Sequence, residues 1–517
     1  MKSQKPIVIV GGGHNGLTAA ALLARAGRRT ILCEARSVLG GIAASEEFYP
    51  GFWTTGLWHS SGRVRQSIVK ELALAAHGFS LEKQATPVFI PQVDGPGLVH
   101  HRDPASASTE LRVHSAKDAA SYGAWRHGLK AYTKALDRHL DRSPADPNAK
   151  TLRGLFELAR AGLSLRLLGS RLRTELSRIV PMSAAGWLGE AFESELLQCA
   201  LAAPSLLGNW CGPRSPGTAA LALVDACTTG RDVRGGPAAL VGCLERAARH
   251  HGAELRIDAP VARIQVEQGS VVAVVLESGE TIATDAVLCA CDPKHALLKL
   301  LQPDILDSDL TQRLQNFRTR GTTAKVHLAL SGLPSCTGRP GVAFEKIQTG
   351  ETIDELERAF APVKTGAIPT DPQLDIRFPS ITDPELAPPG KHVASILVHF
   401  VPQAHSEGWG PAQKKELQES VLRKLHTVMP SIGGLIDGVE TLTPSEIEER
   451  YGLTGEHVFD GEHALDQLLF MRPDPTCARH ATPVAGLYLA ASGSHPGGGI
   501  TCGPGALGAA AALKRSR

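Results

Sequence analysis

The stretch that decides the fold is Ile7-Val-Ile-Val-Gly-Gly-Gly-His-Asn-Gly-Leu-Thr-Ala-Ala-Ala-Leu-Leu-Ala-Arg-Ala-Gly27. Residues 7–10 are four β-branched residues in a row, as in a buried parallel strand. Leu17 to Ala26 is rich in Ala and Leu and predicts a helix that Gly27 stops. Thr30-Ile-Leu-Cys33 is a second strand, and it closes on Glu34. Between strand and helix, Gly11, Gly13 and Gly16 spell GxGxxG. The first glycine makes the tight turn. The second lets backbone approach a pyrophosphate, and the third lets helix and strand pack closely. The helix N-terminus attracts the phosphate charge. Glu34 follows Gly16 at the distance where an acid accepts hydrogen bonds from an adenosine ribose. Strand, glycines, helix and acid coincide, which makes this a dinucleotide-binding turn rather than a chance glycine run.

Outward from that turn, composition narrows the class. The chain has 517 residues, 54 Lys plus Arg and 52 Asp plus Glu. A net charge of +2 lacks the basic excess of a dedicated nucleic-acid binder. Hydrophobic residues make up 43%, enough for a large core. Glycine is in excess, and 18 of the 53 glycines fall in residues 1–62 and 486–508. The two ends of the chain therefore share a need for close backbone approach. Aromatics are scarce at 5%. Ten cysteines include no CxxC, so neither a disulfide framework nor a zinc site is expected, and no metal is predicted. Cys289 and Cys291 are expected to be buried as small hydrophobes. Met1 to Pro6 is polar, without a signal-peptide apolar core, and no apolar run reaches the ~20 residues of a membrane helix. A cytoplasmic protein is the expectation.

Further along, Val88-Phe-Ile90 and Leu111-Arg-Val113 are expected as short strands, and 141–149 as a polar, proline-bearing loop. Residues 150–200 predict consecutive helices. A helix over 237–251 leads to a strand at 254–257. A β-meander is expected over 261–266, 271–276 and 281–283, followed by a strand at 286–290. Lys325 to Leu330 and Val393 to Phe400 alternate as half-buried strands do, Gln413 to Val428 is an amphipathic helix, and Leu487 to Ala491 is a strand entering a glycine-rich loop.

Gly40-Gly41 lies just past Glu34, and Gly486-Leu-Tyr-Leu-Ala-Ala-Ser-Gly-Ser-His-Pro-Gly-Gly-Gly-Ile500 precedes an Ala/Gly-rich helix at 503–513. A second glycine pair after the ribose acid resembles flavoproteins of the glutathione-reductase-like superfamily. The C-terminal stretch resembles the closing FAD motif of phytoene desaturases. Phe48-Tyr-Pro-Gly51-Phe, His77-Gly78-Phe, Gly235-Gly236, Tyr451-Gly-Leu-Thr-Gly-Glu-His457 and Leu465-Asp-Gln467 extend the likeness in order along the chain. Together they look like the phytoene desaturase-related group that includes pyridine nucleotide-disulphide oxidoreductase domain-containing proteins, within the flavin amine oxidase superfamily. The CxxxxC of disulphide reductases is missing, and Cys33 stands alone. Ile42 and Ala43 follow the glycine pair, where amine oxidases of this fold usually carry Arg.

The resemblance implies an α/β fold: a glutathione-reductase-like, Rossmann-type FAD-binding domain with an inserted α+β substrate domain. The FAD domain would comprise 1–75, 230–299 and 470–517, and the substrate domain 76–229 and 300–469. It implies FAD as cofactor, held by Gly11, Gly13, His14, Asn15, Gly16, Glu34, Ala35, Gly40, Gly41, Gly493, Ser494, Gly498, Gly499 and Ile500. Adenine would meet main chain near Val261, and the flavin pyrimidine would meet backbone at Gly499 and Ile500, with the helix N-terminus stabilising reduced flavin.

In such enzymes the flavin does the chemistry and the protein positions the substrate and supplies a base. Lys325 stands where amine oxidases place a lysine facing flavin N5; the other reading is a solvent lysine on an edge strand. His495, inside the flavin loop, is either an imidazole near the ring or a structural hydrogen bond. His59 follows the glycine pair at a distance that often reaches the flavin and is a third acid/base candidate. The expected activity is desaturation: removal of a hydride and a proton from a C–C bond of an apolar or partly apolar small molecule. The alternatives are a redox-neutral isomerase or saturase, an amine oxidase with a cage drawn from Trp53, Trp58, Trp210 or Tyr488, and a non-catalytic FAD-binding protein. With few aromatics, an aliphatic pocket is expected. Residues 150–178 carry seven basic and two acidic residues interleaved with Leu152, Leu155, Leu158, Leu163, Leu167 and Leu168. Such a segment is either a solvated helical cap or an interfacial helix on anionic lipid.

Overall fold

In the computed structural model, residues 5–146, 149–167 and 169–515 are described. The strands run, in chain order, Ile7–Val10 (β1), Thr30–Cys33 (β2), Glu47–Tyr49 (β3), Phe52–Trp53 (β4), Val88–Ile90 (β5), Leu98–His100 (β6), Glu254–Arg256 (β7), Val261–Glu267 (β8) and Ser270–Leu276 (β9). Then come Thr281–Ala283 (β10), Ala286–Cys289 (β11), Thr323–Leu330 (β12), Lys346–Gln348 (β13), Leu374–Arg377 (β14), His392–His399 (β15), Ile436–Leu442 (β16) and Leu487–Leu489 (β17).

Three sheets carry the architecture. The first is wholly parallel in the order β17-β11-β1-β2-β7. Its central strand β1 is buried at every residue, as its β-branched run requires. One face packs against the helices His14–Arg25, Gly236–His250 and Gly503–Arg515 through Leu17, Leu23, Leu240, Leu244 and Ala509. The other face packs against the antiparallel sheet β10-β9-β8 and the helix Ser308–Asn316. The third sheet has seven strands, in the order β16-β12-β15-β14-β13-β5-β6. Val326, Leu328, Ile376, Ile396 and Val398 turn to one of its faces and bury against the helix Pro411–Val428. A separate helical cluster, including Ala116–Leu140, Ala184–Ala191, Glu195–Leu206 and Thr218–Thr228, has its own core around Trp187, Leu206 and Phe360.

Three sequence expectations are corrected. Leu111 to Val113 is not a strand: Leu111 ends the helix Pro104–Leu111, whose N-terminus is capped by Asp103 accepting from Ser106 N at 2.9 Å. Local capping chemistry outweighs the short apolar pattern. β12 and β15 are not half-buried. Every residue of β12 is buried, and only His392 of β15 is not. The alternation is real, but it separates an apolar face from a polar face that is also covered. Lys325 is therefore no edge-strand lysine, because β12 is hydrogen-bonded on both sides, by β15 and β16.

Candidate functional site

Two glycine turns meet first. Gly40 N donates to Gly12 O at 2.9 Å, and Gly13 and Gly40 form an isolated parallel bridge. The turn is tight enough that a Cβ on Gly16 would lie 2.0 Å from Gly11 O. Glu34, at the end of β2, accepts from Gly12 N at 2.5 Å and Arg36 N at 2.9 Å, so its carboxylate is fixed beside the turn. Its carbonyl accepts from Ala259 N at 2.8 Å, which brings the approach to Val261 alongside. Ala35, one residue on, is exposed.

The C-terminal loop closes over the same place. Asn15 Nδ2 donates to Ser492 Oγ at 3.3 Å, and Gly505 N donates to Asn15 Oδ1 at 3.4 Å. A Cβ on Gly505 would sit 2.1 Å from Asn15 O, so the last helix touches the first only because that residue is glycine. Gly498 N donates to His463 Nε2 at 3.0 Å, and Thr501 O accepts from Arg65 N at 3.1 Å. His14 bonds backbone at Gly499, and burial lowers its imidazole to about 4, so the ring is neutral. Two buried polar atoms in this cradle, His14 Nε2 and Ser494 Oγ, have no protein partner. A bare N-terminal helix end, orphaned polar atoms and glycine backbones in apposition suit the phosphates and hydroxyls of a flavin dinucleotide. Gly493 and Ile500 lie buried within this loop.

The candidate chemistry sits between the His59 loop and the seven-stranded sheet. Trp58 N donates to Ile42 O at 3.0 Å, which pins that loop to the second glycine turn. His59 and Lys325 are 266 residues apart in sequence, yet Lys325 Nζ lies 3.4 Å from His59 Nδ1. Ser395 Oγ is 3.5 Å from the same nitrogen, and Asp375 Oδ2 is 3.4 Å from His59 Nε2. Asp375 next meets Arg377 at 3.7 Å. Arg377 reaches Asp232 at 3.6 Å, and Lys346 also pairs with Asp232. Asp232 accepts from Ser61 N at 2.9 Å. Lys325 is 0% exposed, and burial lowers its ammonium to about 7. Burial, then the charge of Lys325, lowers His59 to about 3, so the imidazole is neutral. Burial alone would raise Asp375, but His59 and Arg377 beside it hold its carboxyl well below the usual range. Asp375 beside Nε2 favours the tautomer with its proton there, which leaves the Nδ1 lone pair facing Lys325.

His495 does not join this group. Its Nε2 lies 3.0 Å from His139 O, and its titratable neighbours are His480, Arg472 and His139. Among the aromatics, Trp58 packs edge-on to Phe459, which stacks on His463 beside the flavin loop. Trp210 lies under Arg320, Tyr488 is buried within β17, and Trp53 is 42% exposed. Nor is the sheet face an aliphatic pocket: Lys325, His327, Asp375, Arg377, Ser395 and His399 all lie on the face opposite the apolar core.

Sequence reading missed Asp375, Arg377, Asp232 and Lys346, which carry no local motif. It also missed Arg472. That side chain is 0% exposed and donates to the carbonyls of Ser492, Glu462, Gln467, Phe459 and Gly461. It joins the 459–467 segment to the flavin loop. Arg63, whose Cδ lies 3.5 Å from where a Cβ of Gly499 would be, also went unread.

The chain is similar to known proteins. The model of the flavin containing amine oxidoreductase family matches residues 16–511. Pyridine nucleotide-disulfide oxidoreductase domain-containing protein 2 of Rattus norvegicus is 31% identical over 532 residues, spanning 97% of this chain and 92% of that protein. The zeta-carotene-forming phytoene desaturase of Myxococcus xanthus is 26% identical over 510 residues, with coverage of 96% and 90%. The solved structure of a cyclohexylamine oxidase from Brevibacterium oxydans has the same fold, with a TM-score of 0.55 at 16% identity over 99% of this chain and 100% of that one. The glycine cradle, the closing C-terminal loop and these matches lead to one conclusion: the chain belongs to the flavin containing amine oxidoreductase family and is an FAD-dependent oxidoreductase.

Proposed function

We propose that the protein desaturates a C–C bond of a partly apolar small molecule, with Lys325 as the proton acceptor and His59 as its partner. FAD, when bound, supplies the hydride acceptor. Desaturation releases a proton from the carbon next to the one that loses hydride, so it needs a base. Oxidation of a neutral amine to an imine does not need a second carbon deprotonated. The observation that carries the reading is the buried Lys325, poised near neutral pH with His59 3.4 Å away. A catalytic base works best when its pKa lies near the operating pH. The polar sheet face suits a substrate with a hydrogen-bonding end, and the Trp58–Phe459 pair suits an apolar remainder.

The test is anaerobic mixing of the FAD-loaded protein with matched saturated and unsaturated terpenoids, fatty acids and amines. A desaturase bleaches the flavin in step with formation of the unsaturated product. Product without bleaching would make it an isomerase, and bleaching by amines alone would make it an amine oxidase.

We also infer that the helix Leu152–Arg166 meets an anionic lipid surface. Leu152, Phe156 and Leu163 share one side of that helix, Leu167 follows it, and they are 89, 66, 53 and 72% exposed. Exposed Arg160, Arg166 and Arg171 flank them. Leu168 lies outside the described residues. Among the described residues no helix is long and apolar enough to cross a membrane. The contact proposed is therefore peripheral.

A further inference from the structure

Lys325 and His59 are sealed from bulk water by the sheet and by the loops around them, yet a base that turns over must lose its proton. One cavity reaches His59 from outside. It holds about 40 Å³, between the Gly235-Gly236 turn and β14, and its inner wall includes His59, Ser61 and Arg377. Its other lining includes Glu82, Asp232, Glu345 and Asp383, with Thr382 exposed at the surface. A water needs roughly 10–15 Å³ of such space and two or more polar partners, so this volume suits about three waters. The acid-rich lining favours cationic forms of water over anions.

We propose that this cavity is the proton exit of the active site, with His59 as the gate between Lys325 and the acid-lined mouth at Glu82 and Asp383. The inference rests on the reading of Lys325 as proton acceptor. In the step, a substrate C–H bond breaks and an N–H bond forms at neutral Lys325, while the hydride from the adjacent carbon takes both electrons to the flavin. The resulting ammonium gives a proton to His59 Nδ1 as His59 releases its own from Nε2 to cavity water, and uptake of a proton at Nε2 with loss of the one on Nδ1 then restores the tautomer that Asp375 favours. Net, one proton passes from substrate to solvent and Lys325 returns to the amine. The groups that face Lys325 are His59 from the loop after β4, His327 on its own strand, Ser395 and His399 on β15, Asp375 and Arg377 on β14, and Glu440 on β16. Of these, His59 and Arg377 also line the cavity, and Arg377 stays protonated, so His59 is the one that can both take and release a proton there.

The experiment is a stopped-flow pH jump on the full FAD-loaded chain, from about pH 6 to about pH 8 around the Lys325 value of about 7, followed by flavin absorbance. With FAD bound, loss of the Lys325 charge would be read as a shift in flavin absorbance. The wild type is expected to show one fast phase, and Lys325→Met to show none. Thr55→Leu fills the cavity from within, and the Glu82→Gln/Asp383→Asn pair neutralises its mouth without touching the core. Each is expected to slow the phase by roughly tenfold or more at unchanged amplitude and midpoint. Unchanged rates in both variants, a wild-type spectrum that ignores pH, or a shift that survives Lys325→Met would each overturn the proposal. The FAD content of the same samples is read directly from their colour, so loss of cofactor is distinguished from loss of the proton route.

Discussion

Lys325 shows how one residue can be destabilising where it stands and still be held within reach of an imidazole. Burial favours the amine, so its pKa falls to about 7 in the fold against about 10.4 in an unfolded chain. Between those values the unfolded chain binds the proton and the fold does not, so this residue's contribution to stability rises with pH. Its penalty is complete below about pH 7 and amounts to roughly 5 kcal/mol as a ceiling. Lys325→Met should therefore be more stable than the wild type in acid, with the advantage shrinking as pH climbs from 7 towards 10. Urea midpoints of the two proteins across that range check it; a difference that does not vary with pH would mean that Lys325 reaches solvent. Lys325 and His59 were each legible in the sequence from their neighbours, but their pairing was not, since 266 residues separate them. Asp375 and Arg377 were illegible for the same reason: only the strand register brings them near Lys325 and His59.

At the scale of the element, β12 marks where pattern reading stops. Its alternation of Lys325 and His327 with Val326 and Leu328 looks like a half-solvated strand because hydropathy cannot tell a face turned to water from one turned to a buried polar cluster. β1 with its glycine turn was legible because backbone geometry itself selects those residues. The helix Leu152–Arg166 poses the opposite case, with apolar side chains that the fold leaves outside. Glu157 ties it to Arg479 at 2.9 Å, so it is anchored to the body while its leucines face outward. Replacing Leu152 and Phe156 with Glu removes about 2 kcal/mol of burial for each side chain on insertion. Flotation with phosphatidylserine vesicles should fall more than tenfold in the double variant, and added salt should weaken the wild type. Equal flotation of both proteins would leave the helix as a solvated cap.

At the scale of the molecule, the parallel sheet draws β1 and β2 from the start of the chain, β7 and β11 from its middle and β17 from its end. The glycine turn that announces the cofactor is complete within the first 41 residues, but the loop that closes over it arrives only at 486–505. A chain ending before Gly486 should thus keep its GxGxxG and still fail to hold FAD, as quenching of flavin fluorescence would report; full retention would put the closing loop outside the site. In time as in space, the cradle is assembled from two distant stretches of chain. During synthesis the turn at 11–16 emerges hundreds of residues before the loop at 486–505, so a nascent chain still lacking that loop presents the turn without the backbone that covers it.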